Sequence, residues 1–155
     1  MTTPEAHPAG PAAPLPFART ILGVLIFGAV ATVAYWVVWF GVDRELLASA
    51  HTESYYTFEN AFPLADTWMV LAGILASVSL VRRRASTIVW CTAAGSTSIF
   101  LGLLDVLFDL ENGIYGSPDT GAVAVEITIN VLTIALGAVV VAWALWQRRA
   151  LMSLR

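Results

Sequence analysis

Four long stretches of the chain carry almost no charge, and each is close to the twenty residues that a helix needs to cross a lipid bilayer. The hydrocarbon core offers no hydrogen-bond partners to the backbone, so apolar runs of this length must be helical. The sequence therefore predicts an all-α fold, a polytopic membrane protein built as a bundle of four transmembrane helices. The predicted spans cover residues 20–42, 63–81, 85–108 and 123–147.

The composition supports a single transmembrane domain over residues 19–150. Of 155 residues, 58% are hydrophobic and 12% are charged, about half the charge of an average soluble domain, so no part is left for a soluble catalytic domain. A Pro- and Ala-rich segment over residues 1–18 predicts a disordered cytoplasmic tail. Residues 151–155 are predicted to form a short cytoplasmic tail. The single cysteine, Cys91, excludes an intrachain disulfide and a paired-thiol redox site.

The arginines predict the orientation of the bundle. By the positive-inside rule, the side with seven of the eight arginines is cytoplasmic, which makes both termini cytoplasmic in a multi-pass protein of the plasma membrane. Ten of the eleven acidic residues then lie at the outer face, with Arg44. The seven cytoplasmic arginines are Arg19, Arg82, Arg83, Arg84, Arg148, Arg149 and Arg155.

Each predicted span carries a stripe of small and polar residues spaced three or four apart or at multiples of that spacing, which places them on one helix face. Small residues allow membrane helices to approach closely and polar ones avoid lipid, so the stripes are expected to face the bundle interior. In span order, with one aromatic residue added in the first, they are Gly28, Thr32, Tyr35 and Trp39; Asp66, Gly73 and Ser77; Gly95, Ser98, Gly102, Asp105 and Asp109; Glu126, Asn130, Thr133 and Gly137.

The outer ends of these stripes predict a cavity that opens outward and is lined by carboxylates. We expect its ligand-binding residues to be Tyr35, Arg44, Asp66, Asp105, Asp109, Glu126 and Asn130. Helix-end electrostatics is an alternative explanation for two of them. Pro63 suits the first position of a helix, which places Asp66 in a first turn where the helix dipole favours an anion, and Glu126 is explained in the same way if its helix begins a few residues earlier.

Asp105 and Asp109 need a different explanation. They stand four residues apart at the C-terminal end of a helix, where the dipole disfavours anions and the two like charges are neighbours. A salt bridge to Arg44, a proton held by one of the acids, or a bound cation would each compensate them.

A bound metal is one of these options. Carboxylate and amide oxygens suit a hard divalent cation such as calcium, magnesium or manganese, and the candidate ligands are Asp66, Asp105, Asp109 and Glu126. Adding His51 would admit iron or zinc, although the sequence holds no compact ligand motif.

The first hypothesis for function is a membrane protein whose acidic cavity binds a cation or a small cationic or amphipathic ligand. One alternative is an accessory subunit that packs against a membrane protein partner, and another is a small membrane enzyme that uses paired carboxylates for acid–base chemistry on a lipid-like substrate. The plan of a long first loop, a short second loop and acids near the cavity is similar in topology to four-helix sterol isomerases and sigma-2-type proteins. No basic patch indicates nucleic-acid binding, so the expected partners are the lipid bilayer and a small ligand.

The long first loop, residues 43–62, is rich in aromatic residues and is expected to lie in the membrane interface. It is either a partly helical cap over the bundle mouth or a passive amphipathic loop.

Overall fold

The computed structural model describes residues 14–154, and this part of the chain is helical with no strand. Four segments are long and apolar enough to cross a membrane: Ala18–Gly41, Glu53–Val81, Thr87–Glu111 and Thr120–Trp146. The predicted four-helix transmembrane architecture is thereby confirmed. The helices are α1 Ala18–Gly41, α2 Glu53–Glu59, α3 Pro63–Val81, α4 Thr87–Glu111, α5 Thr120–Trp146 and α6 Arg148–Met152, with 3-10 turns at Arg44–Leu46 and Ile114–Gly116.

Two helices extend beyond the predicted spans at the acidic end of the bundle. Helix α5 begins at Thr120 because the Asp119 side chain accepts hydrogen bonds from the Gly121 and Ala122 amides, both at 3.1 Å. Helix α4 continues to Glu111, and the chain turns at Gly113, whose φ of +68° favours glycine. The extension of α4 places Asp109 on regular helix, together with Asp105 and Glu126, which lie within the predicted spans.

The four long helices form a ring in chain order, and α4 and α5 make its closest contact. A Cβ atom built on Gly95 would lie 2.6 Å from the Gly137 carbonyl oxygen, so the two backbones touch. The Ser98 hydroxyl donates across the same contact to the Thr133 carbonyl at 2.7 Å. Contact between α1 and α5, which closes the ring, is much sparser.

Gly137→Ala should therefore weaken the bundle. The added Cβ would lie 2.7 Å from the Gly95 oxygen and 3.0 Å from the Ser98 Cβ, and we expect a loss of about 1–3 kcal/mol in the free energy of unfolding. The measurement is the thermal unfolding midpoint in detergent. Gly23→Ala is the control, since a Cβ at Gly23 meets open space. Equal midpoints for the two variants would contradict the close α4–α5 contact.

The buried apolar residues form two clusters, one near each end of the bundle. The larger cluster lies at the end that holds the Arg82–Arg84 loop, and the smaller one consists of Trp39, Tyr55 and Ile114 at the acidic end. The larger cluster contains Ile21, Leu25, Ala72, Ala76, Leu80, Cys91, Ala94, Val140, Trp143, Ala144 and Leu151.

The segments predicted as tails are partly outside the described residues, which exclude 1–13 and 155. Where the structure does describe them, they pack against the bundle. Leu15 contacts the larger cluster, the Pro16 carbonyl accepts a 2.8 Å hydrogen bond from the Trp143 indole, and Leu151 is fully buried.

Candidate ligand-binding site

A cavity of about 210 Å³ lies between the four long helices near the acidic end of the bundle. We call it the acidic cavity because four carboxylates line it. Each long helix contributes to its wall, and Phe62 and Leu47 contribute from the first loop. The four carboxylates are Glu59, Asp66, Asp105 and Glu126.

Three carboxylates converge at one side of this cavity. Asp105, Asp109 and Glu126 each place a carboxylate oxygen within 4.8 Å of the others, and Asp109 is 0% exposed. We call this group the carboxylate cluster. Two of its members lie one helical turn apart on α4, and the third faces them from α5, so the close α4–α5 contact brings them together. When ionised, three such groups repel one another, at about 4 kcal/mol per pair for a 4 Å separation at an effective dielectric constant of 20.

Behind the cavity wall, Asn130 holds Asp109 in place. Its Nδ2 donates to Asp109 Oδ2 at 2.8 Å and to the Tyr115 hydroxyl oxygen at 3.0 Å. Burial, together with the nearby charge of Asp109, raises the pKa of Tyr115 to about 12, while the hydrogen bond from Asn130 acts in the opposite direction. Tyr115 is therefore a neutral hydroxyl at physiological pH.

Two buried oxygens in this group have no hydrogen-bond partner. They are Asp109 Oδ1 and Asn130 Oδ1, on side chains that are 0% and 2% exposed. Leaving a buried acceptor without a donor is costly, and the cost is larger for a charged group. Both orphaned atoms are acceptors, so a cation or a donor group would satisfy them.

The first loop folds over the mouth of the cavity as a roof, which we define as residues 43–62. Ser49 donates from its hydroxyl to Glu126, and its amide donates to the Tyr55 hydroxyl oxygen at 3.2 Å. Helix α2 begins after Thr52, whose side chain accepts from the Tyr55 amide, and it ends near Glu59, which accepts from the Tyr35 hydroxyl at 3.0 Å. The structure thus favours the partly helical cap over the passive loop.

Aromatic contacts fix the roof to the helices below it. The rings of Phe58 and Phe108 stack with their centroids 3.9 Å apart, and the Trp39 indole donates to Asn60 Oδ1 at 3.1 Å. Tyr55 is 1% exposed and lies against Phe108 as well. These contacts attach the inner side of the roof to α1 and α4, while most of its other residues are exposed.

Asp66 lines the acidic cavity but stands outside the carboxylate cluster. It lies in the first turn of α3 after Pro63, as predicted, and it accepts a 2.8 Å hydrogen bond from the Trp36 indole. The sequence had grouped Asp66 with the three cluster acids as metal ligands, and the structure separates it from them.

Arg44 does not compensate the cluster. Its guanidinium lies 4.1 Å from the centre of the Tyr56 ring on the exposed side of the roof. His51 is held there too, 3.0 Å from the Tyr56 hydroxyl, so it is not placed to join a metal site. Within residues 14–154 no ion pair links Arg44 to these carboxylates, and the salt-bridge alternative is thereby removed.

Most of the predicted site residues reach the cavity or its back wall. Tyr35, Asp66, Asp105 and Glu126 line it, while Asp109 and Asn130 lie just behind it. Sequence reasoning missed Ser49, Tyr55, Glu59 and Tyr115. The signal that was present is the N-cap residue Thr52, which starts a helix whose Tyr55 and Glu59, four residues apart, share one face.

No protein-family model, curated protein or solved structure matches the chain.

Proposed function

We propose that this multi-pass membrane protein binds a positively charged ligand in its acidic cavity. The observation that carries the proposal is the carboxylate cluster, three acids packed together without a cationic side chain from the described residues. In the plasma membrane, with both termini cytoplasmic as the arginines predict, the cavity lies at the outer face beneath the roof.

The physical argument is one of charge balance. Removing carboxylates from water costs several kcal/mol per ion unless a partner compensates, and mutual repulsion adds to that cost. A ligand with positive charge removes the repulsion and gains attraction from each acid, so its binding energy comes from the feature that destabilises the empty protein. Acids that line a cavity in a membrane protein without a cationic side chain beside them are typical of functional sites.

A divalent metal ion is one form of this ligand. Asp105, Asp109 and Glu126 each offer an oxygen, and Asn130, which donates to Asp109, carries a further buried oxygen without a partner. An all-oxygen set suits calcium, magnesium or manganese rather than a soft metal.

The accessory-subunit alternative receives less support. The small residues of α4 and α5 that suit a helix–helix contact, Gly95, Gly102 and Gly137, are used inside this chain. The enzyme alternative would employ the same carboxylates as the binding proposal. It requires in addition a bound substrate that gains or loses a proton in the reaction.

Asp105→Asn should abolish the response to cations. We expect CaCl₂, MgCl₂, MnCl₂ or butylammonium chloride to raise the thermal unfolding midpoint of the wild-type protein in detergent, with sodium chloride at equal ionic strength as the baseline. A ligand at 100 times its Kd contributes about 2.7 kcal/mol, which is readily detected. Asp105→Asn removes one of the converging charges while conserving the side-chain volume, so the shift should disappear.

The matched control is Glu111→Gln, which neutralises an exposed acid on the same helix. It should respond to cations like the wild-type protein. The proposal fails if no cation shifts the wild-type midpoint above the sodium baseline, or if the shift survives in Asp105→Asn.

A further inference from the structure

A second cavity, of about 310 Å³, continues from the acidic cavity toward the centre of the bundle. The two cavities share five wall residues, so they lie directly next to each other along the bundle. We call the second one the apolar cavity, because its other wall residues are almost all aliphatic or glycine. The shared residues are Ala31, Thr32, Met69, Ile129 and Thr133.

The apolar cavity lies where the ring of helices is weakest. Helices α1 and α5 make the sparsest contact of the adjacent pairs, and Gly28 of α1 faces open space at that seam. Phe27 and Leu132 border the cavity and are themselves exposed, at 58% and 44%. In a membrane this seam faces acyl chains, so a molecule dissolved in the bilayer reaches the cavity from the side.

The two cavities together have opposite characters at their two ends. Four carboxylates line one end, and hydrocarbon side chains line the other. Gly28 and Tyr35 are seven residues apart, so the two ends are separated by about 10 Å along α1. A ligand that fills both must carry a positive charge at one end and a flexible apolar chain at the other.

We propose that the ligand is a membrane-borne cationic amphiphile of the alkylamine class. Its ammonium group lies among Asp105, Glu126 and Asp66 in the acidic cavity, and its alkyl chain occupies the apolar cavity between α1 and α5. This inference rests on the proposed function, since it names the class of cation that the acidic cavity binds.

Other occupants fit the charges less well. A fatty acid would place a carboxylate against four acids, and a neutral alcohol would leave their charge uncompensated. A metal ion would leave the apolar cavity without a role. The negative charge of the acidic cavity and the hydrocarbon wall of the apolar cavity therefore favour an alkylamine.

The test uses the full chain in phosphatidylcholine nanodiscs with a photoreactive dodecylamine that carries a diazirine in its chain. We expect saturable labelling of apolar-cavity residues such as Gly28 and Ile129. Photoreactive dodecanol of the same design should label them about tenfold less, a difference of about 1.4 kcal/mol in binding. Unlabelled dodecylamine should compete, and butylamine should compete much more weakly because it lacks the chain.

Gly28→Leu separates this inference from the proposed function. The new side chain enters the open space at Gly28 and occupies part of the apolar cavity, so dodecylamine labelling should fall about tenfold while butylammonium still raises the unfolding midpoint. Gly23→Leu adds the same side chain to an exposed position of α1 that lines neither cavity, and its labelling should equal that of the wild-type protein.

The outcomes are distinct. The amphiphile proposal is overturned if labelling spreads over lipid-facing residues, or if Gly28→Leu leaves the labelling unchanged. In either case, a butylammonium shift that is lost in Asp105→Asn still supports the acidic cavity as the binding site. Binding of divalent ions without binding of either amine would also overturn the amphiphile and support the acidic cavity. If neither metals nor amines bind, the proposed function itself fails.

Discussion

Asp109→Asn is expected to raise the thermal stability of the ligand-free protein and to remove its response to cations. Asp109 is fully buried, two other acids lie within 4.8 Å, and one of its oxygens has no partner. Asparagine has nearly the same shape, and its amide oxygen can still accept from Asn130. Removing the buried charge should stabilise the protein by on the order of 2 kcal/mol.

The measurement is the unfolding midpoint of the wild-type and variant proteins in detergent, each with and without calcium chloride and butylammonium chloride. Glu111→Gln is again the reference, because that acid is exposed and outside the cluster. A gain of stability with a loss of ligand response is the signature of a site that trades stability for binding. A lower midpoint with the ligand response intact would mean that Asp109 only positions Asn130.

Tyr55→Ala is expected to open the roof. The side chain is 1% exposed, it packs against Tyr56 and Phe108, and its hydroxyl oxygen accepts the Ser49 amide. Truncation leaves a large cavity and frees Ser49, which is the roof residue that donates to Glu126. We expect a loss of about 3–5 kcal/mol in the free energy of unfolding.

Tyr55→Phe is the matched control, since it keeps the ring and removes only the hydroxyl. It should cost about 1 kcal/mol, the size of one hydrogen bond. Amide hydrogen exchange gives the second readout: exchange in α2 should accelerate in Tyr55→Ala, while α3 near Ala76 keeps its protection. Equal exchange in α2 for both variants would show that Tyr55 does not hold the roof.

The fold could be predicted almost completely because the bilayer imposes it. Long apolar runs form helices in lipid because no other structure satisfies their backbone hydrogen bonds, and the arginine clusters mark the ends of the runs on one side of the membrane. The largest errors in the helix bounds fell at the acidic end, where polar helix residues extend beyond the apolar run. Helix α5 begins three residues early because Asp119 caps it, and that signal can be seen in the sequence.

The candidate site could be predicted in part. Helical periodicity indicates that Asp105, Asp109, Glu126 and Asn130 point inward, and the structure brings these four together. The residues that were missed belong to loops. Ser49 and Tyr115 reach the site because tertiary contacts position their loops. The helical periodicity of the sequence does not indicate where loop residues lie.

The position of Arg44 shows the same limit. Counting charges alone makes this arginine the natural partner of the acids, since it is the one arginine predicted on their side of the membrane. In the structure the 3-10 turn that follows α1 carries it over the Tyr56 ring instead. Charge counting predicts the side of the membrane on which a residue lies, whereas packing decides its partner.

Equilibrium binding measures directly whether the carboxylate cluster binds a positively charged ligand. Radiolabelled calcium and radiolabelled dodecylamine would each be titrated against the wild-type protein, the double variant Asp105→Asn/Glu126→Gln and the control Glu111→Gln in nanodiscs. We expect saturable binding of at least one of these cations at one site per chain in the wild-type and control proteins, and none in the double variant. Saturable binding that is equal in all three proteins, or absent from the wild-type protein for both cations, would contradict the account.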